Sequence, residues 1–258
     1  MGGGITGKVF SAPCKIDARA AVTFPTSCLC NEGGVTEPVH AVIFDMDGVI
    51  VESESHWKTF ERDILSSLIP AWSHADQQKI LGLGLDDLYT LLSSEHSLQQ
   101  TKDQFVMLYH EKAKEIYGQK VSLTAGFSDL LSRLNRHRIP VGLASSSPRN
   151  WIDLVLHRFG LQDSFQVVVS ADEVAGKSKP SPAIYLLTAQ RLGIPAARCI
   201  AVEDSKNGVL SAKHARMFCI GLRNGLNGEQ DLSKADLVIH SLAELDWQTF
   251  QRLLEKLS

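Results

Sequence analysis

Hydrophobic and polar residues follow two different periods along this chain, and the two periods alternate. Six short apolar runs, several of them rich in β-branched residues, are typical of buried strands. Segments between the later runs repeat apolar residues every three or four positions, which indicates amphipathic helices. We predict strands over residues 40–44, 140–144, 165–170, 199–203, 218–222 and 237–239, and helices over 127–137, 148–159, 182–192, 206–215 and 247–257. Such alternation predicts an α/β fold, a doubly wound parallel sheet with helices on both faces.

One long stretch, residues 54–124, has helical spacing and almost no strand signal. Apolar residues recur at helical spacing from Trp57 to Leu68, and further helical patterns cover 80–92 and 105–117. Three or more helices inserted between two strands indicate a separate module, with hinges expected near Gly118 and Gly126. We therefore predict three parts, which are a flexible N-terminal tail over 1–38, a core formed by 39–53 and 125–258, and a helical module over 54–124.

The composition excludes several classes of protein. A chain of 258 residues with 44% hydrophobic and 21% charged residues is ordinary for a soluble globular protein of one or two domains. A formal net charge of -3 gives no reason to expect nucleic acid or an anionic membrane as a partner, and no run is long and apolar enough to span a bilayer. Five cysteines, an odd number without zinc-site spacing, predict reduced thiols.

Residues 1–38 bear on where the protein is located. They lack the compact apolar core of a secretory signal, so a cytoplasmic location is predicted. An organelle presequence is the alternative, although acidic residues balance the basic ones and arginine is scarce. Gly2 with Thr6 fits an N-myristoylation pattern, but no basic cluster supports a second membrane anchor.

The first predicted strand ends in two aspartates, Asp45 and Asp47, followed by Gly48. In an open parallel sheet, ligands bind beyond the carboxyl ends of the strands, so both carboxylates are expected at the mouth of a site. Two close carboxylates repel unless a cation or a shared proton offsets their charge. A calcium-binding EF-hand loop is disfavoured because Val49 stands where a further Asp or Asn is needed.

The second predicted strand is followed by three serines. Ser145 comes directly after the strand, at the level of Asp45, where its hydroxyl can donate to a phosphate oxygen. Ser147 precedes Pro148, and this pair has the form of a helix N-cap with proline at the first helical position. The pattern therefore predicts a ligand contact for Ser145 and a structural role for Ser147.

A lysine and two acids complete the polar strand ends. Lys179, before Pro180, could lie in an ordinary solvated loop or neutralise a nearby anion. Glu203 and Asp204 end another apolar strand and are expected to face the first pair across the site. Mg²⁺ prefers a site in which a small number of protein oxygen ligands is completed by water and by the phosphate of the substrate. Ser205 is predicted to cap the helix that follows.

Four segments, in this order, resemble motifs of the haloacid dehalogenase superfamily. They are FDMDGVIVESE at 44–54, LASSSPRN at 143–150, Lys179-Pro180, and VEDSKNGV at 202–209. The resemblance extends over residues 39 to about 240 and points to the subgroup with a helical cap, which includes members similar to phosphoglycolate phosphatase and β-phosphoglucomutase. It implies a Rossmann-like core, with the helical module of residues 54–124 as the cap.

The resemblance also implies roles for the polar residues. Asp45 would attack phosphorus and become an aspartyl-phosphate, while the Asp47 side chain would act as acid and then base. Ser145 and Lys179 would bind the phosphoryl oxygens. Mg²⁺ would be held by Asp45, the backbone carbonyl of Asp47, Asp204 and, directly or through water, Glu203. The implied function is hydrolysis of a small phosphorylated metabolite, such as a sugar phosphate or a phosphoglycolate-like acid.

Two alternatives stay open. A mutase similar to β-phosphoglucomutase would share all four motifs but add a cap histidine, at the position of Trp57, and an arginine, in the segment Gly82-Leu83-Gly84-Leu85. Neither residue occurs there (His56 is one position away), which favours hydrolysis over transfer. A non-catalytic binding protein on the same fold would be expected to have lost an essential group, and none is lost.

Overall fold

A parallel sheet of six strands forms the centre of the computed structural model, which describes Met1 and residues 40–257 except Leu81, Gly82, Ser97 and Glu229. The strand order is β3-β2-β1-β4-β5-β6, and each neighbouring pair is parallel. The strands are β1 (Ala41–Phe44), β2 (Val141–Ala144), β3 (Val167–Val169), β4 (Cys199–Glu203), β5 (Phe218–Leu222) and β6 (Leu237–Ile239). The predicted tail, residues 1–38, lies outside the described residues apart from Met1.

Two hydrophobic clusters cover the two faces of this sheet. Because side chains alternate along a strand, Val42 and Phe44 of β1 belong to one cluster while Ala41 and Ile43 belong to the other. Every residue of β1 and β2 is buried, as expected for parallel strands covered by helices on both sides. The predicted fold class, a Rossmann-like doubly wound sheet with an inserted helical cap, is confirmed.

The helices match the predicted alternation closely. In the sheet domain they are α5 (Phe127–Arg136), α6 (Arg149–Phe159), α7 (Ala183–Leu192), α8 (Lys206–His214) and α9 (Trp247–Leu257). The helices α6 and α7 begin one residue after Pro148 and Pro182, so each proline occupies the N-cap position and not the first helical position. No helix of the described part of the chain is long and apolar enough to cross a membrane.

Of the helices described between β1 and β2, the first four form the cap and α5 belongs to the sheet domain. The cap helices are α1 (Glu54–Leu68), α2 (His74–Ile80), α3 (Leu85–Glu95) and α4 (Lys102–Glu115), followed by one π-helical turn over Ile116–Lys120. The helix predicted over 80–92 is wrong at its start, since α2 ends at Ile80 and α3 begins at Leu85. Thr101 and Gln104 form a capping box that starts α4 earlier than the apolar pattern suggested. The domain limits at 54 and 124 stay a prediction.

Candidate active site

The predicted site residues meet where strands β2, β1 and β4 end side by side in the sheet. Asp45 directly follows β1, Ser145 directly follows β2, and Glu203 and Asp204 stand at the end of β4. Lys179 arrives from the long connection between β3 and α7. All five side chains are buried. Neighbouring parallel strands place their carboxyl ends at one edge, so the sheet order itself assembles this group.

The ammonium group of Lys179 lies between two carboxylates. Its Nζ is 2.6 Å from Asp45 Oδ1 and 2.5 Å from Glu203 Oε1, and it also donates to the carbonyl oxygen of Ala144 at 3.3 Å. Burial opposes the charged ammonium, but the charges of Asp45 and then Glu203 outweigh burial and hold the Lys179 pKa above its ordinary value. Lys179 is therefore a permanent cation in the site.

The negative charge of this site exceeds what Lys179 can balance. Burial raises the pKa of Asp45, Lys179 lowers it, and the charges of Glu203 and Asp47 raise it again, to about 7. Burial, followed by the charges of Asp45 and Glu203, also raises the pKa of Asp204 well above its ordinary value. Such shifts mean that the ionised carboxylates repel one another without a further cation.

This donor set fits a divalent cation. Asp45, Glu203 and Asp204 each offer an oxygen, and the three oxygens lie within 4.8 Å of one another. All three are carboxylate oxygens, the hard donors that Mg²⁺ prefers. Gly48, with φ at +75°, closes one side of the group, since a Cβ there would lie 1.9 Å from Asp204 Oδ2. Only glycine permits this approach of the turn to the carboxylate.

Glu203 is held by protein donors at both of its carboxylate oxygens. Oε1 accepts hydrogen bonds from Lys179 and, at 2.7 Å, from the Tyr185 hydroxyl. Oε2 accepts from the backbone N–H of Asp204 at 3.2 Å and from the Ser205 hydroxyl at 3.3 Å. The carboxylate also packs directly against Gly208 of α8. These contacts fix the position of the Glu203 carboxylate, which in turn orients Lys179. The role of Glu203 as a metal ligand stays a prediction.

Two asparagines after β5 orient Asp204 and the turn of the first motif. Asn224 Nδ2 donates to the Gly48 carbonyl oxygen at 2.9 Å and to Asp204 Oδ2 at 3.3 Å. Asn227 Nδ2 donates to the carbonyl oxygens of Asp204 at 2.7 Å and Leu222 at 2.8 Å. These bonds tie the ends of β1, β4 and β5 together and restrict the position of the Asp204 carboxylate.

Asp47 accepts hydrogen bonds from three hydroxyl groups. Ser53 and Tyr117 donate to Oδ1 at 2.5 and 2.7 Å, and Ser147 donates to Oδ2 at 2.9 Å. The prediction that Ser147 is the N-cap of α6 is wrong, because Pro148 occupies that position, no side chain caps this helix and the Ser147 hydroxyl contacts Asp47 instead. Tyr117 also accepts a hydrogen bond from Trp57 Nε1 at 3.0 Å, so the cap reaches the first motif directly.

Ser145 is positioned with its hydroxyl proton available. The Ser145 Oγ accepts the backbone N–H of Ser147 at 3.0 Å, while its own N–H donates to the Val169 carbonyl oxygen at 3.1 Å. An acceptor bond at Oγ leaves the O–H free to donate. Ser205 caps α8, as predicted, by accepting the Gly208 N–H at 3.0 Å.

A cavity of about 210 Å³ joins this group of residues to the cap. One end is lined by Asp45, Asp47, Ser145, Lys179 and Asp204. The cap end is lined by Trp57, Lys58, Glu61, Ile80, Leu83, Gly84, Leu85, Leu88, Tyr109 and Tyr117, with Trp151 of the sheet domain beside them. Trp57 and Trp151 stack with ring centroids 5.0 Å apart and also form part of the cavity wall.

A family model for haloacid dehalogenase-like hydrolases matches residues 42–222, well over half of the chain. The chain belongs to this family. Hexitol phosphatase B of Escherichia coli K12 is 32% identical to it, covering 80% of this chain and 93% of that protein. The beta-phosphoglucomutase of Bacillus subtilis is also 32% identical, with coverage of 80% and 91%.

This haloacid dehalogenase-like hydrolase is also similar in structure to a solved protein. The beta-phosphoglucomutase of Clostridium difficile superimposes with a TM-score of 0.68 at 26% identity, over 84% of this chain and 98% of that one. The predicted family and enzyme class, a phosphomonoester hydrolase, are confirmed. The roles of individual site residues stay predictions.

Several residues at this hydrolase's site were not found from the sequence. Asn224 had a usable signal, because it comes two residues after a correctly predicted strand, as the motif residues do. Tyr117 and Ser53 had none, since their contact with Asp47 depends on how the cap packs. Tyr185 lies in the apolar pattern of α7 and gives no hint of its bond to Glu203.

Proposed function

We propose that this enzyme hydrolyses a small phosphorylated metabolite through an aspartyl-phosphate on Asp45. The observation that carries the proposal is the buried contact of Asp45 with Lys179 at 2.6 Å, at the mouth of a small cavity. A nucleophilic carboxylate must be ionised, and the adjacent ammonium favours that form. The cavity has room for a small molecule, which supports a metabolite as the substrate.

The first step transfers the phosphoryl group to the enzyme. A carboxylate oxygen of Asp45 forms a bond to phosphorus while the bond from phosphorus to the leaving oxygen breaks. The Asp47 carboxyl gives its proton to that oxygen. Asp47 then takes a proton from water, the water oxygen attacks phosphorus, and the bond to Asp45 breaks to release phosphate. Ser145 and Lys179 donate hydrogen bonds to the phosphoryl oxygens during both steps.

We propose that the cation of the site is Mg²⁺. Asp45, Asp204 and the backbone carbonyl of Asp47 would hold it, with Glu203 direct or bridged by water. Bound Mg²⁺ would supply positive charge that neutralises the phosphoryl oxygens and orients them toward Asp45. The formal excess of negative charge supports this assignment, because Asp45, Glu203 and Asp204 form one cluster of carboxylates and, among the described residues, Lys179 is the cation that contacts it.

A phosphosugar mutase is the second candidate, favoured by the 32% identity to a beta-phosphoglucomutase. A mutase must keep its phosphorylated intermediate from water while the sugar turns round. The resemblance implies that a cap histidine and arginine serve this purpose. Trp57 occupies the histidine position, and neither a histidine nor an arginine lines the cavity in the part of the chain that the structure describes. Gly82, in the segment aligned with the arginine, lies outside the described residues. Hydrolysis is therefore the first candidate.

The test is phosphate release from a panel of phosphorylated metabolites, with MgCl₂ and with EDTA. We expect release from one or a few compounds, lost with EDTA and in Asp45→Asn, and retained in the exposed control Asp129→Asn. Conversion of a sugar 1-phosphate into its 6-phosphate without release would establish the mutase instead. Release that survives in Asp45→Asn would refute the proposed nucleophile.

A further inference from the structure

The cap end of the cavity contains a buried hydroxyl group for which the described residues provide no partner. Three of the chain's four tyrosines donate hydrogen bonds, Tyr117 to Asp47, Tyr185 to Glu203 and Tyr89 to the Gln100 carbonyl oxygen. The fourth, Tyr109, is 2% exposed, and its hydroxyl has no partner among the described residues. Buried polar groups are rarely left unsatisfied in native proteins, so this one requires an explanation. A ligand in the cavity that Tyr109 lines would provide it.

The ring of Tyr109 is fixed in place by aromatic neighbours. It stacks on Trp57 with a centroid distance of 5.8 Å, and Phe60 and Phe105 contact it at 5.2 and 4.7 Å. Burial, and then the charge of nearby Glu61, raise the Tyr109 pKa well above its ordinary value, so the hydroxyl keeps its proton. A rigid ring with a protonated hydroxyl is a preorganised hydrogen-bond donor.

Glu61 lines the same end of the cavity, and one of its carboxylate oxygens can accept a further hydrogen bond. Gln77 Nε2 donates to Oε2 of Glu61 at 3.3 Å, and Gln77 is itself held by Trp72 Nε1 at 3.1 Å. Glu61 Oε1 has no hydrogen-bond donor within the described part of the chain. Burial raises the pKa of Glu61 to about 8, although Gln77 and Lys58 lower it, so its carboxyl can donate as well as accept.

The remaining walls and charges limit what can lie against this pair. Leu83, Leu85 and Leu88 contribute aliphatic surface to the same end of the cavity. Lys58 is the one cation lining the cap end of the cavity among the described residues. It is already engaged by Glu54 at 3.0 Å and by the Leu226 carbonyl oxygen at 3.3 Å. A second anionic group on the substrate would therefore find no cation at this end of the cavity, among the described residues, that lacks a carboxylate partner.

We propose that Glu61 and Tyr109 recognise a hydroxyl group on an uncharged leaving group. The inference rests on the proposed phosphatase function and selects between its two substrate classes. Monophosphates of neutral polyols or sugars fit, because their C–H faces pack on aromatic rings while their hydroxyls bond to the Glu61–Tyr109 pair. Phosphorylated carboxylic acids and bisphosphates do not fit.

The test compares probes that differ in hydroxyl groups and charge. The measured quantity is kcat/KM for phosphate release from D-sorbitol 6-phosphate, D-mannitol 1-phosphate, D-glucose 6-phosphate, hexyl phosphate, 2-phosphoglycolate and D-fructose 1,6-bisphosphate. We expect a hexitol or hexose monophosphate to be the best substrate. Tyr109→Phe should lower the ratio of its kcat/KM to that of hexyl phosphate roughly 5- to 50-fold, the range expected for loss of one or two hydrogen bonds.

Tyr89→Phe is the matched control, since it removes a tyrosine hydroxyl from the same cap at a position outside the cavity wall. Its ratio should equal that of the wild type. Glu61→Leu should lower the ratio further than Tyr109→Phe, because it removes both an acceptor and a donor.

The outcomes separate this inference from the function on which it rests. A preference for 2-phosphoglycolate or the bisphosphate would overturn the inference while leaving the phosphatase intact. An unchanged ratio in Tyr109→Phe and Glu61→Leu would do the same, provided that release is lost in Asp45→Asn. Failure to release phosphate from every probe, or release that survives in Asp45→Asn, would refute the proposed function itself.

Discussion

The substitution Gly208→Ala should destabilise this enzyme although it replaces a helical glycine with the best helix former. In an exposed helix the change would stabilise by about 1 kcal/mol. Gly208, however, lies in α8 against the carboxylate of Glu203. A Cβ at this position would be 2.0 Å from Glu203 Cδ and 2.0 and 2.1 Å from its two oxygens. Because carbon atoms pack at roughly 3.5 Å, the carboxylate must move by roughly 1.5 Å.

The cost of that movement follows from what Glu203 holds. Its carboxylate is fully buried and contacts Lys179 at 2.5 Å and Tyr185 at 2.7 Å. A displacement of roughly 1.5 Å disturbs the short geometry of both contacts. Disrupting a buried ion pair costs about 3–5 kcal/mol. The gain of about 1 kcal/mol in helix propensity offsets part of this cost, so the free energy of unfolding should fall by about 2–4 kcal/mol.

Urea unfolding at fixed Mg²⁺ concentration measures this change, and phosphate release measures the effect on the site. We expect kcat to fall by about 10- to 100-fold, because Lys179 loses one of its two carboxylate partners. Gly118→Ala is the matched control, since a Cβ there would meet nothing within 4 Å. Wild-type stability in Gly208→Ala, or an equal loss in Gly118→Ala, would refute the steric reasoning.

Three further predictions concern the cap, the cation site and pH. Tyr117→Phe removes a donor 2.7 Å from Asp47, so kcat should fall by about tenfold with little change in KM; an unchanged kcat would argue against a role for this contact. Mg²⁺ should raise the thermal unfolding midpoint of the wild type by several degrees, and an equal rise in Asp204→Asn would contradict the ligand assignment. The pKa of Glu61 rises from 4.5 to about 8 on folding, so the folded state binds more protons between these values. Wild-type stability should therefore decrease relative to Glu61→Gln as pH rises through this window, and parallel urea midpoints from pH 5 to 8 would contradict it.

The residues of the four motifs could be placed from the sequence because the rule behind them is topological. Asp45, Ser145 and Asp204 each follow an apolar run that reads as a buried strand. In a parallel sheet, the ends of such strands share one edge whatever the details of packing. The strand β4 and the helix α9 were predicted with the bounds that the structure has.

The cap was predicted less well, and the reason is physical. Helical period alone does not tell where one helix ends and the next begins, so the break between α2 and α3 was missed. Ser147 was assigned to a helix cap because Ser-Pro commonly starts helices, and its bond to Asp47 depends on a residue 100 positions away. Local sequence carries no record of such a contact.

The sequence by itself determined the succession of strands and helices along the chain and the α/β class. It also determined which acids, hydroxyl group and lysine lie at the strand ends. Periodicity and turn chemistry are local properties, so a single chain displays them. Only the tertiary structure decided that Glu203 holds Lys179, that Tyr117 reaches Asp47, and that the buried hydroxyl of Tyr109 finds no partner among the described residues. These contacts join side chains from elements that are far apart in the sequence. Their free energy depends on packing and burial in the folded protein, which no local sequence pattern encodes.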